Sequence, residues 1–174
     1  MYRLFKTIIV ALFVISFIAT SAFASGFIAP TMKDKCAVCG MKVSMYPKWI
    51  AEIVFNDGTY AAFDGPKDMF RFYFNMSMYS KKTKADIKEI YVTDYYTTKP
   101  VKATDEDVYF IIGSDVYGPM GIELVPVKGK SAAETFMKDH KGKRMLKFNE
   151  VTPQDIPKGM MKMKMKMKKK MKGC

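Results

Sequence analysis

The chain of 174 residues holds one histidine, His140, one tryptophan, Trp49, and three cysteines. These shortages exclude several functions. A single histidine allows neither a Cys2His2 zinc finger nor a serine–histidine–acid set, and leaves little for general-base chemistry near neutral pH. Three cysteines are too few for a disulfide scaffold. Acids are missing altogether between Lys158 and Lys172, where eight lysines fall. That segment dominates the formal net charge of +12. With those eight lysines and the early Arg3 and Lys6 set aside, the 29 basic residues drop to 19 against 17 acids. The body is therefore close to neutral and lacks the basic footprint of a nucleic-acid binder. Its hydrophobic share of 49% is ordinary, and its length suits one domain with a proper core.

What is present begins with a leader. Arg3 and Lys6 precede an apolar run from Ile8 to Ile18, and Ala22-Phe23-Ala24 follows. A charged start, an apolar middle and a small-x-small site predict a signal peptide over residues 1–24. The alternative is an uncleaved membrane anchor, with a span near the lower limit for crossing a bilayer. Either reading exports the body to the periplasm, and no cysteine beside the cleavage site offers a lipoprotein anchor.

The exported body opens on Cys36-Ala37-Val38-Cys39-Gly40-Met41. In an oxidising compartment such a Cys-x-x-Cys pair closes into a disulfide unless something, such as a bound soft metal, keeps it reduced. Thiolate and thioether sulfurs select Cu(I), zinc or iron–sulfur clusters over hard cations. Gly40 between two sulfur residues lets the backbone turn tightly enough to aim both at one point. Haem attachment is excluded, because glycine and not histidine follows Cys39. A zinc site would need two further ligands, and Cys174 with His140 is an improvised pair. On the bare residues Cys36 stays open between soft ligand, disulfide partner and resolving thiol.

Strand-like patterning runs over Lys48 to Phe55, then Asn56-Asp57-Gly58 signals a hairpin, and Thr59 to Phe63 returns. Asp64 is placed to cap a helix that has Pro66 in its first turn and Met69, Phe70, Tyr73 and Phe74 on one face. A lysine-rich loop leads to a strand over Ile87 to Tyr96. The order then repeats: a strand over Asp107 to Gly113, a turn at Ser114-Asp115, and a strand over Gly121 to Val127. A helix follows that Ser131 and Glu134 can cap, then a last strand over Met145 to Val151. The expected architecture is α+β, two pseudo-repeated β-β-α-β units packed as one domain over residues 25–157. Met69 and Met137 are expected to pack in the core, and His140 to be solvated at a helix end. Residues 158–174 nearly alternate methionine with lysine, a density of like charge that predicts a disordered tail. That tail could serve as a low-affinity copper collector or as a polybasic contact for a membrane surface.

Two blocks resemble the NosL family, copper chaperones accessory to nitrous oxide reductase. The first holds Cys39-Gly40-Met41, Tyr46-Pro47, Trp49, Asp57-Gly58, Phe63-Asp64-Gly65-Pro66-Lys67-Asp68-Met69 and Tyr73. The second is Gly113-Ser114-Asp115-Val116-Tyr117-Gly118-Pro119-Met120-Gly121 with Glu123-Leu124-Val125-Pro126. The resemblance implies a non-catalytic protein that binds Cu(I) in the periplasm. It also implies delivery to the copper-sulfide centre of nitrous oxide reductase through an ABC-type assembly complex with a periplasmic β-helical partner. Cys39 and Met41 match the family's copper-binding cysteine and methionine, and Met120 matches the methionine from the second half; Cys36 joins them as a further candidate ligand. One thiolate with two thioethers suffices for Cu(I). The chain departs from the family in lacking its lipoprotein cysteine and in carrying the basic tail. Two other functions use the same residues: a periplasmic thiol–disulfide oxidoreductase built on Cys36 and Cys39, and a resistance or sensing protein for mercury or silver.

Overall fold

Strands β1 (Ala51–Phe55) and β2 (Tyr60–Phe63) pair antiparallel around the expected turn. Gly58 takes φ +81° there, a conformation that costs glycine nothing, and the Asp57 carboxylate accepts from the Thr59 amide at 3.1 Å. The structure, a computed structural model, describes residues 26–157, so the leader and the Met/Lys tail with Cys174 lie outside it. Helix α1 (Pro66–Phe74) follows and ends at Asn75, as its apolar spacing predicts. A short helix α2 (Met76–Tyr79) then leads to β3 (Ile87–Thr93) and β4 (Pro100–Lys102).

The second unit comprises β5 (Val108–Gly118), β6 (Gly121–Lys128), helix α3 (Lys130–Asp139) and β7 (Arg144–Leu146). The sheets run β2-β1-β3-β4 and β6-β5-β7, antiparallel throughout. The chain is thus an α+β domain of two β-β-α-β units, with β4 added to the first.

The units share a core. Phe70 on α1 meets Phe110 of β5 edge-on at 5.0 Å and stacks with Phe148 at 5.2 Å. Phe63, Met69, Phe70, Phe110 and Leu124, drawn from both units, are wholly buried in one cluster. A smaller cluster under α3 holds Ile111, Val125, Val127 and Phe136, with Trp49 and Met137 against it. Among the described residues no helix is long and apolar enough to cross a membrane.

Several expectations change. Ser114-Asp115 is no turn: β5 continues through it, and the register against β6 shifts between Ile112 and Tyr117, so the polar pair sits in a bulge. Helix α3 starts two residues early, with Gly129 at its N-cap and no side-chain cap from Ser131. The last strand stops at Leu146, because the chain turns into a 3-10 segment (Phe148–Glu150) that carries Phe148 onto Phe70. His140 is half-packed, with its ring against Phe136 and Tyr95 and Nδ1 3.3 Å from the Asp115 carboxylate.

The segment before the first unit also has a place. Phe27 meets Tyr91 of β3 edge-on, and the Ile28 amide donates to Glu52 Oε1 at 3.0 Å. Glu52 sits between Ala62 and Tyr91 in the sheet and is wholly buried, with no hydrogen-bond partner for Oε2 among the described residues.

Candidate metal centre

The loop that carries the cysteines closes on itself. The Cys36 amide donates to the Met41 carbonyl at 2.7 Å, the Gly40 amide to the Cys36 carbonyl at 2.9 Å, and Lys35 bridges Lys42. Gly40 makes the turn possible at φ +76°, where a side chain would be strained. The Ala37 amide pins the loop to β2 through the Ala62 carbonyl at 3.1 Å. Cys36 is buried, Cys39 is half-exposed, and both are free thiols.

Two carboxylates face them from the start of α1. The N-cap of that helix is Gly65 and it has no side-chain cap. Asp64 does not cap; it is 1% exposed and accepts from Cys39 Sγ at 3.3 Å through Oδ1. Asp68, also 1% exposed, lies 3.6 Å from Cys36 Sγ through Oδ2. Its other oxygen accepts from Arg71 at 2.8 Å, and Arg71 is steadied in turn by the Pro157 carbonyl. One donor atom from each of Cys36, Cys39, Asp64 and Asp68 lies within 4.8 Å of every other. Such a donor set can hold a metal ion.

The electrostatics fit a centre made for a cation. Burial, with help from Asp64, pushes the Cys36 thiol up to about 11. Burial pushes Cys39 higher still, with Cys36 and Asp68 adding to it. Against this, the backbone amides of Val38 and Cys39 favour the Cys36 thiolate, and the Met41 amide favours that of Cys39. The loop thus presents amide donors to two sulfurs whose thiolate forms burial disfavours, a cost that a bound cation would offset.

The two methionines lie in separate segments. Met41 is half-buried in the cysteine loop itself. Met120 occupies the turn between β5 and β6, and its carbonyl accepts from Lys67 Nζ at 2.7 Å. Lys67 stands between the two aspartates in sequence and is wholly buried; it also donates to the Ile122 carbonyl at 3.0 Å and pairs with Glu123 at 3.4 Å. Glu123 accepts from the Lys67 amide at 2.8 Å and fills the space beside Gly65 and Gly118, where a Cβ would come within 2.7 and 2.4 Å of it. The hairpin with Met120 is therefore fastened to the helix start that carries Asp64 and Asp68.

The structure thus sets Cys36 and Cys39 side by side, with Met41 in the same loop and Met120 on the tethered hairpin. Asp64 and Asp68 were missed as site residues by sequence reasoning. The available signal was two acids flanking one helix start, Asp64 just before the N-cap glycine and Asp68 in the first turn.

A family model described as NosL matches residues 28–156. A solved structure, the copper chaperone NosL from Shewanella denitrificans, is 23% identical over 74% of this chain and 96% of that one, with a TM-score of 0.63. At that identity the likeness is one of fold. None of the curated proteins matches the chain.

Proposed function

The chain belongs to the NosL family, and on that premise we propose that it is a periplasmic metallochaperone that carries Cu(I) as its cargo. The observation that supports this most directly is the pair of unbridged thiols in a glycine-hinged loop with a methionine attached. In the proposed site Cys39 supplies a thiolate, and Met41 and Met120 supply thioethers, with Cys36 as the further sulfur. The thiolate gives strength, while uncharged thioethers exchange readily, which suits a protein that must release its ion. Lys67 serves the site without binding copper, by holding the Met120 turn against α1. The proposed recipient is the copper-sulfide centre of nitrous oxide reductase, reached through an ABC-type assembly complex.

A disulfide oxidoreductase needs a thiol in an electropositive setting, whereas Cys36 and Cys39 here face the carboxylates of Asp68 and Asp64. Competition titration of the reduced protein against a Cu(I) chelator tests the proposal. One Cu(I) should bind, with affinity reduced about tenfold or more in Cys39→Ser and in Met120→Leu. Unchanged affinity in both variants refutes it.

A further inference from the structure

The function proposed above gives residues 158–174 no role. They lie outside the described residues, but the described chain shows where they begin. Ile156 packs against the main core, and the Pro157 carbonyl accepts from Arg71 Nη2 at 2.8 Å. The same guanidinium donates through Nη1 to Asp68 Oδ1 at 2.8 Å, and the other oxygen of Asp68 faces Cys36. One side chain thus ties the root of the tail to the wall of the cysteine site. Met160 follows Pro157 by three residues, a reach of about 10 Å in extended chain.

The tail has the composition of a soft-ion binder that holds weakly. Six methionines fall between Met160 and Met171, and from Met161 to Met167 they alternate with lysine. Thioethers select Cu(I) over hard cations. Protonated lysines offer no lone pair to a metal, and their charge opposes that of a bound ion. No acid in that stretch offsets them. An ion caught there is held less tightly than between two thiolates and two carboxylates, so the gradient runs from tail to centre. A link this short sets an effective concentration in the millimolar range. We propose that the Met/Lys tail is a tethered Cu(I) collector, which takes the ion through neighbouring thioethers and passes it to the cysteine site beside its root. Copper keeps its oxidation state in the hand-over: thioethers leave uncharged as the Cys39 sulfur binds, and the thiol proton passes to solvent. Capture stands on the tail's donors alone, and the hand-over rests on the copper reading of the centre. The lysines would also suit an anionic membrane surface, but such a contact has no use for alternating thioethers.

The test compares the reduced full chain with one carrying Met160→Leu, Met161→Leu, Met163→Leu, Met165→Leu, Met167→Leu and Met171→Leu together. Both carry Cys174→Ser, so that only thioethers differ. With the centre filled by one equivalent of Cu(I), a second should shift the nuclear magnetic resonances of isotope-labelled tail methyl groups. A chelator strong enough to contest the centre should strip that second ion. Loading of the centre from the coloured Cu(I)–bicinchoninate complex, with copper below the protein concentration, should be at least about tenfold slower in the leucine chain. The centre's affinity should stay within about threefold, and an equimolar free peptide of the same tail should not restore the rate. The proposal is overturned if the tail methyl groups ignore the second equivalent, if both chains load at one rate, or if the free peptide restores loading. Equal rates together with binding of the full chain to phosphatidylserine vesicles would assign the tail to a membrane instead. Shifted tail resonances alongside a first equivalent indifferent to Cys39→Ser and Met120→Leu would sustain capture, and would refute the copper reading of the centre and the hand-over with it.

Discussion

Glu52 should make the protein lose stability as pH rises from about 5 towards neutrality. Its carboxylate is wholly buried in β1, with the Ile28 amide on one oxygen and no hydrogen-bond donor to the other among the described residues. Burial pushes it up to about 7 from an ordinary 4.5; the Ile28 amide opposes this and the charge on Asp34 adds to it. In the unfolded chain the group ionises above about 4.5, whereas the fold keeps its proton until about 7. Between those values the folded state holds the extra proton, so its contribution is complete below the unfolded value and is lost as pH climbs through the folded one. A gap of about 2.5 pH units at about 1.36 kcal/mol each is about 3 kcal/mol. Urea unfolding followed by the fluorescence of Trp49, which packs against the second core, measures this at pH 5 and pH 8. Glu52→Gln cannot ionise, and since pH 5 already lies above the unfolded value, its loss between the two values should be about 2.5 kcal/mol smaller than the wild type's. Because every other group titrates in both proteins, the difference isolates Glu52. Equal losses would refute the reasoning.

Lys67→Met should destabilise by about 3–5 kcal/mol, because it strands the buried Glu123 carboxylate. Adding Glu123→Leu should restore more than half of that, and a double variant no better than the single would show that the pair is not the cause. Phe70→Ala removes the ring that meets Phe110 and Phe148 and should cost about 3–5 kcal/mol. Calorimetry reads it, and a cost below about 1 kcal/mol would show that the joint core lies elsewhere.

Local chemistry made most of the fold legible. Asn56-Asp57-Gly58 and the spacing of Met69, Phe70, Tyr73 and Phe74 act within a few residues of themselves, and the turn and helix lie where they predict. The errors came from partners distant in sequence. Ser114-Asp115 has turn composition, but pairing with β6 carries the strand through it with a bulge. Phe148 belongs to an aromatic stack with Phe70, which no strand pattern reveals. The site divides the same way. Cys36 and Cys39 announce themselves by spacing. Asp64 read as a cap because its preference for that position is local, whereas its thiol partner lies 25 residues earlier.

The unequal exposure of the two thiols gives the centre an outside and an inside. Cys36 is 3% exposed and rests with Asp68 against the core, while Cys39 opens to the surface. A ligand from a second protein would therefore meet an ion held here over Cys39 before Cys36. Exchange would begin at that sulfur, and the bond to Cys36 would break last. Release becomes an ordered sequence of steps, and the chain keeps its grip from within until the recipient has taken hold from without.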